Sequence, residues 1–154
     1  IQWHCIGTLQ TNKVKYIAPF VSLIHSVDSY KLLAEIDKQA KKNNRIIECL
    51  LEMFIAQEQT KHGLSFEEAE EILANKSALP NIKITGLMGM ASNTDNKDQV
   101  RAEFKSLHAF YFRLYELYGL STLSMGMSGD YKIAIEEGSN MVRVGSSIFG
   151  IAKP

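Results

Sequence analysis

Short apolar runs alternate with amphipathic stretches along the chain. Trp3-His4-Cys5-Ile6-Gly7 is a strand-type run closed by glycine, and Val14, Tyr16, Ile17 and Ala18 follow at helical spacing. Ser22 to Val27 reads as a second strand. Asp28 or Ser29 can then cap a helix that places Leu32, Leu33, Ile36 and Ala40 on one face. Ile46 to Ala56 is a long buried-strand pattern, and Ser65-Phe66-Glu67-Glu68 forms a capping box ahead of Ala69, Ile72 and Leu73. Pro80 breaks the chain before a strand from Ile82 to Met90. Val100, Phe104, Leu107, Tyr111, Leu114 and Tyr118 recur at three- and four-residue intervals, which predicts a helix over Lys97–Tyr118 ended by Gly119. Thr122 to Met127 is a strand, followed by a helix from about Gly129 to Glu137 with Gly138 as its stop. Met141 to Gly145 is the last strand.

Six strands result, each but the last followed by a helix. No linker or low-complexity break divides residues 1–154, so one α/β domain is expected. Strict alternation implies parallel strands with right-handed crossovers, in an open sheet or a barrel. A closed (β/α)8 barrel needs eight strands and typically ~250 residues. Six units therefore suggest a TIM-like barrel without its first two βα units. The absence of an initiator Met at Ile1 suggests an internal starting point.

Composition narrows the function classes. Of the 154 residues 45% are hydrophobic and 22% charged, with 17 basic against 17 acidic side chains, so no global field draws in nucleic acid or an anionic membrane. The longest apolar stretch is interrupted by Glu48 and Glu52 and is too short to span a bilayer. Cys5 and Cys49 sit in apolar runs, where reduced thiols in a cytoplasmic protein are expected. His4, His25, His62 and His108 show no metal spacing, and no serine-hydrolase elbow, P-loop or dinucleotide turn occurs. No catalytic residue and no metal ligand is assigned.

Candidate chemistry gathers where strands give way to helices, the working end of parallel α/β folds. At Ser124-Met125-Gly126-Met127-Ser128-Gly129-Asp130 a helix start and the Ser128 hydroxyl suit a phosphate, the alternative being that Ser128 caps its own helix. In Val142-Arg143-Val144-Gly145-Ser146, Arg143 lies within an apolar strand and needs a partner. Gly145 and Ser146 can present amides and a hydroxyl to an anion. The alternative there is an Arg143 that reaches solvent or pairs with Glu136 or Glu137. Gly7 to Lys13, with His4 upstream, reads more simply as loop and helix-entry chemistry. Met88, Met90, Met125 and Met127 read as core or pocket wall.

These segments together resemble the pyridoxal-phosphate (PLP) homeostasis proteins, which are similar to the barrel domain of alanine racemases. Trp3 to Lys13 resembles that family's WHFIGxLQxNK stretch, with Cys5 where Phe is usual. Thr60-Lys61-His62-Gly63 resembles its SKxG segment, Gly86-Leu87-Met88 its GLM strand, Ser124 to Asp130 its S[LM]GMSxD signature and Val142 to Gly150 its VRIGxxIFG terminus.

The resemblance implies an alanine racemase N-terminal type barrel. It would hold PLP as a Schiff base on a first-strand lysine, with Ser128, Gly145 and Ser146 on the phosphate and Arg143 against the pyridine nitrogen. An arginine there weakens the ring as an electron sink, which suits a carrier. Met90 stands where racemases place a histidine, and their carboxy-terminal β-domain has no counterpart, so racemization is not expected. The lysine strand and the next would lie before Ile1, making residues 1–154 a truncated PLP-binding domain that holds the cofactor weakly. The expected role is PLP carriage or buffering, with PLP-dependent apoenzymes as partners. An alanine-racemase-type enzyme and a non-binding fragment or scaffold are the competing readings. Two raw strand edges, at Trp3 and Arg143, lead to an expected dimer.

Overall fold

The computed structural model describes residues 1–58 and 62–153; Thr60 and Lys61 of the SKxG-like segment lie outside them. Six strands form one sheet in chain order, every neighbouring pair parallel. They are β1 (His4–Cys5), β2 (Leu23–Val27), β3 (Ile47–Met53), β4 (Ile82–Gly89), β5 (Thr122–Met127) and β6 (Met141–Arg143). The helices between them are α1 (Val14–Ile17), α2 (Tyr30–Lys42), α3 (Phe66–Ala74), α4 (Lys97–Tyr118) and α5 (Tyr131–Glu136). A short α6 (Ser146–Phe149) follows β6.

The sheet is strongly curved. On β2 and β5, three strands apart, the side chains of His25 and Ser124 come within 2.9 Å. In a flat sheet three steps of ~4.8 Å would hold them roughly 14 Å apart. The arc therefore encloses an interior, as part of a TIM-like barrel. Leu23, Leu50 and Met88 pack together inside it, with Met90 and Met141 against them. The larger core lies between the sheet's outer face and the helices, where Phe104, Leu107 and Leu114 of α4 meet Leu51, Leu87 and Leu123. Every one of these core side chains is buried, so the hydrophobic effect acts across the whole outer layer.

Local signals explain the helix ends. Ser29 caps α2 by accepting from the Leu32 amide at 3.1 Å, and Ser65 and Glu68 complete the capping box of α3. Gly119 ends α4 in the left-handed conformation, φ 68°.

Several expectations need correcting. β1 pairs only two residues, and the helix after it is a 3-10 turn (Thr11–Lys13) plus the four residues of α1. β3 stops at Met53 rather than Ala56. The chain leaves the ladder there because Leu64 donates to the Glu52 carbonyl and Phe54 donates to the Leu64 carbonyl. The last strand does carry a helix, α6. Cys5 is half-buried and Cys49 buried; both are free thiols, and burial pushes both above the usual thiol range. Of the two readings given for Met127, core or pocket wall, the second holds: its side chain is exposed and lines a cleft beside Asp130. Among the described residues no helix is long and apolar enough to cross a membrane.

Candidate functional site

Two residues past the apolar interior cluster, the same strands turn polar on the same face. Leu23 is followed by His25, Leu50 by Glu52 and Met141 by Arg143, because side chains two apart on a strand point the same way. Met90 stands two residues past Met88 and is partly buried against the same cluster. This polar layer faces the carboxyl ends of the strands, where the loops after β5 and β6 also lie.

Arg143 is buried in this layer, 8% exposed. One guanidinium nitrogen donates to Ser124 Oγ at 2.6 Å and another to the Gly89 carbonyl at 3.2 Å. It meets neither Glu136 nor Glu137, which instead form ion pairs with Arg101 at 2.6 Å each. Burial lowers its pKa, opposed by the charges of Asp130 and Glu52. With a fixed fork of five donors and two of them engaged by Ser124 and Gly89, Arg143 retains N–H groups without a partner among the described residues for an acceptor in the interior.

The loops after β5 and β6 are tied together. Ser128 Oγ accepts from the Gly145 amide at 3.2 Å and from the Ser147 amide at 3.3 Å, and Ser147 Oγ donates to the Ser128 carbonyl. Ser128 therefore does not cap its own helix. The residue at the start of α5 is Asp130, whose carboxylate accepts from the Met127 amide at 2.7 Å. Ser146 opens α6 beside this contact and is exposed. Ser128 and Gly145 are thus in direct contact, with Ser146 next in the chain and Arg143 two residues before Gly145 on β6.

His25 was not expected in the site. It is 1% exposed on β2, with Nδ1 2.9 Å from Ser124 Oγ and Nε2 3.0 Å from His4 Nδ1. Burial, then the Arg143 charge and then His4, lower its pKa to about 4. From the polar segment at the chain's start, His4 joins this network, while Thr11 to Lys13 form the outer 3-10 turn. His4, His25, Met141, Arg143 and Gly145 line one cavity of about 370 Å³. A larger cleft of about 580 Å³ between α2 and α3 is lined by Asp28, Glu68 and Glu71, a sign of charge that repels a phosphate. Among the described residues no group of three or more His, Cys, Asp or Glu stands together as a metal site.

Matching the chain's residues 2–153 is the family model "Alanine racemase, N-terminal domain". The pyridoxal phosphate homeostasis protein of Aquifex aeolicus is 43% identical over 155 residues, covering 99% of this chain and 68% of that protein. The chain belongs to the pyridoxal phosphate homeostasis protein family. Its counterpart in Vibrio alginolyticus is 34% identical, over 97% of this chain and 65% of that protein, so the chain spans about two thirds of these relatives' length. PipY of Synechococcus elongatus, solved with PLP bound, superposes with a TM-score of 0.87 at 31% identity, over 97% of this chain and 71% of that one. A Clostridium difficile alanine racemase shares the fold, TM-score 0.78 at 14% identity, over 100% of this chain and 41% of that one. These curated relatives are named as homeostasis proteins rather than racemases.

Glu52 adds a pH dependence to the layer. Burial, then the Asp28 charge, raise its pKa to about 7 against the opposing pull of Arg143 and His62. A folded pKa above the unfolded one gives stability that is present below pH 4.5 and is lost as pH rises to about 7. His25 has the opposite sign, losing stability as pH falls from 6.5 to about 4. The two effects offset one another in wild type. Glu52→Gln is expected to gain up to roughly 3 kcal/mol relative to wild type between pH 5 and pH 8, read from urea unfolding at both. An equal difference at the two pH values contradicts this.

Proposed function

We propose that residues 1–154 act as one PLP-binding domain that carries or buffers the cofactor in the cytoplasm without substrate turnover. In this reading Ser128, Gly145 and Ser146 hold the phosphate, and Arg143 faces the pyridine nitrogen.

The observation that carries it is the convergence of the Gly145 and Ser147 amides on one oxygen, Ser128 Oγ, at the exposed rim beside a buried Arg143. Two amides that already converge on one hydroxyl oxygen can be redirected, together with that hydroxyl, to phosphate oxygens with small movements. The residues present therefore suit the group. PLP supplies an aldehyde and an electron-accepting ring; the chain's residues bind and orient it. The one lysine within a strand among the described residues, Lys83, is exposed. Release to PLP-dependent apoenzymes is the proposed use. That the curated relatives are named for PLP homeostasis, and that PipY was solved with PLP, supports the same reading.

Pyridoxine 5′-phosphate is the suitable probe, because it lacks the aldehyde that would react with surface lysines. Calorimetry is expected to show saturable one-to-one binding of this ester and at least 10-fold weaker binding of unphosphorylated pyridoxine, the loss of about one charge-assisted contact. Equal affinity for the two would sink the phosphate assignment.

Among the described residues β1 and β6 are the two edge strands of the parallel sheet. We propose that they pair between copies, giving a dimer. Light scattering after gel filtration should give twice the chain mass of 17.3 kDa at high concentration, and a clean monomer contradicts it.

A further inference from the structure

The hydrogen bonds from Arg143 to His4 run in one sense. Ser124 is fully buried, and its hydroxyl has one hydrogen and two lone pairs. Arg143 donates into one lone pair at 2.6 Å. The other contact is His25 Nδ1 at 2.9 Å, which is able to donate or accept. If His25 donated, the Ser124 hydrogen would have no acceptor among the described residues, a cost of about 1–3 kcal/mol for a buried hydroxyl. The hydroxyl therefore donates to Nδ1.

The rest of the chain follows. A neutral His25 with Nδ1 as acceptor carries its proton on Nε2, which donates to His4 Nδ1 at 3.0 Å. A neutral His4 with Nδ1 accepting carries its own proton on Nε2. That atom has no partner among the described residues, and His4 lines the cavity it shares with Arg143 and Gly145. The cavity is thus provided with donors from two sides, the remaining Arg143 N–H groups and His4 Nε2–H.

We propose that Ser124 and His25 are positioning residues that hold Arg143 and orient His4. His4 is then a further ligand contact, presenting Nε2–H to an oxygen or unprotonated nitrogen acceptor of the bound ring. This rests on the pyridoxal-type ligand proposed above. It assigns a role to three side chains beyond those on the phosphate and the pyridine nitrogen, and it makes a first-strand residue part of the binding wall.

Two measurements test it. Long-range proton–nitrogen NMR of the full chain at pH 7 should show both His4 and His25 unprotonated at Nδ1 and protonated at Nε2; the reverse tautomer on His25 overturns the relay. Calorimetry with pyridoxine 5′-phosphate should then show His4→Phe and Ser124→Ala each weakening binding roughly 5- to 20-fold. Ser124→Thr, which keeps the hydroxyl, should stay within about 2-fold of wild type, and circular dichroism establishes that each variant is folded. Wild-type affinity in His4→Phe overturns this inference alone. Absence of ester binding by the wild-type chain overturns the proposed function and the ligand role of His4 with it.

Discussion

Replacing Arg143 with methionine is expected to weaken pyridoxine 5′-phosphate binding by roughly 10- to 100-fold while leaving the melting temperature within a few degrees of wild type. The two effects separate because of where the charge sits. Burial lowers the Arg143 pKa, so the fold disfavours the charged form, and among the described residues its acceptors are Ser124 and the Gly89 carbonyl. Methionine keeps most of the apolar stem and removes the desolvated charge, so the lost hydrogen bonds and the relieved desolvation largely offset. For a bound ring the balance differs. A charged hydrogen bond in a dry site contributes about 1.5–3 kcal/mol, and nothing else on β6 replaces it. Calorimetry paired with differential scanning fluorimetry reads both quantities. A variant that melts far below wild type yet binds equally well would show Arg143 to be structural.

The second large effect is on the frame that presents Ser128. Gly126 has φ +102°, and a Cβ there would lie 2.6 Å from Ala134 Cβ and 2.9 Å from Tyr131 Cα, with Val142 Cγ1 at 3.4 Å. The backbone conformation and the close approach of α5 to β5 both require glycine. Gly126→Val combines strain at a positive φ, about 1–3 kcal/mol, with overpacking of similar size. A loss of roughly 3–5 kcal/mol in urea unfolding is expected, a large share of a domain's usual 5–15 kcal/mol. Gly126→Ala should fall between this variant and wild type. Because Ser128 follows two residues later, ester binding should fall in the folded fraction as well. A loss below about 1 kcal/mol would mean that α5 moves away freely.

What the sequence made legible was local. The Lys97–Tyr118 helix coincides with its apolar period, since 22 residues of repeat and a terminal glycine leave little choice of boundary. The capping box at Ser65 and the strand Thr122–Met127 are likewise set by neighbours in the chain. Pairings that depend on the barrel's curvature were not legible. His25 and Ser124 are 99 residues apart, and only the curvature of the sheet brings a histidine from an apolar run onto the serine that holds Arg143. The choice between Glu136 and Glu137 as partners for Arg143 or for another cation depended on Arg101, whose place on α4 puts it over the end of α5. Ser147 stood next to the predicted phosphate residues, but its amide's approach to Ser128 follows from the turn into α6, a helix the apolar pattern did not reveal. β1 came out shorter than its apolar run because, at the edge, it has one neighbour and two paired residues.

The central claim is that the loops after β5 and β6 form one phosphate cradle beside Arg143. Amide NMR of the nitrogen-labelled chain, titrated with pyridoxine 5′-phosphate, addresses it residue by residue. The largest shifts are expected at Ser128, Gly145, Ser146 and Ser147, saturating together with a single affinity. Shifts confined to the acidic cleft around Asp28 and Glu68, or no saturating shift in either loop, would contradict it.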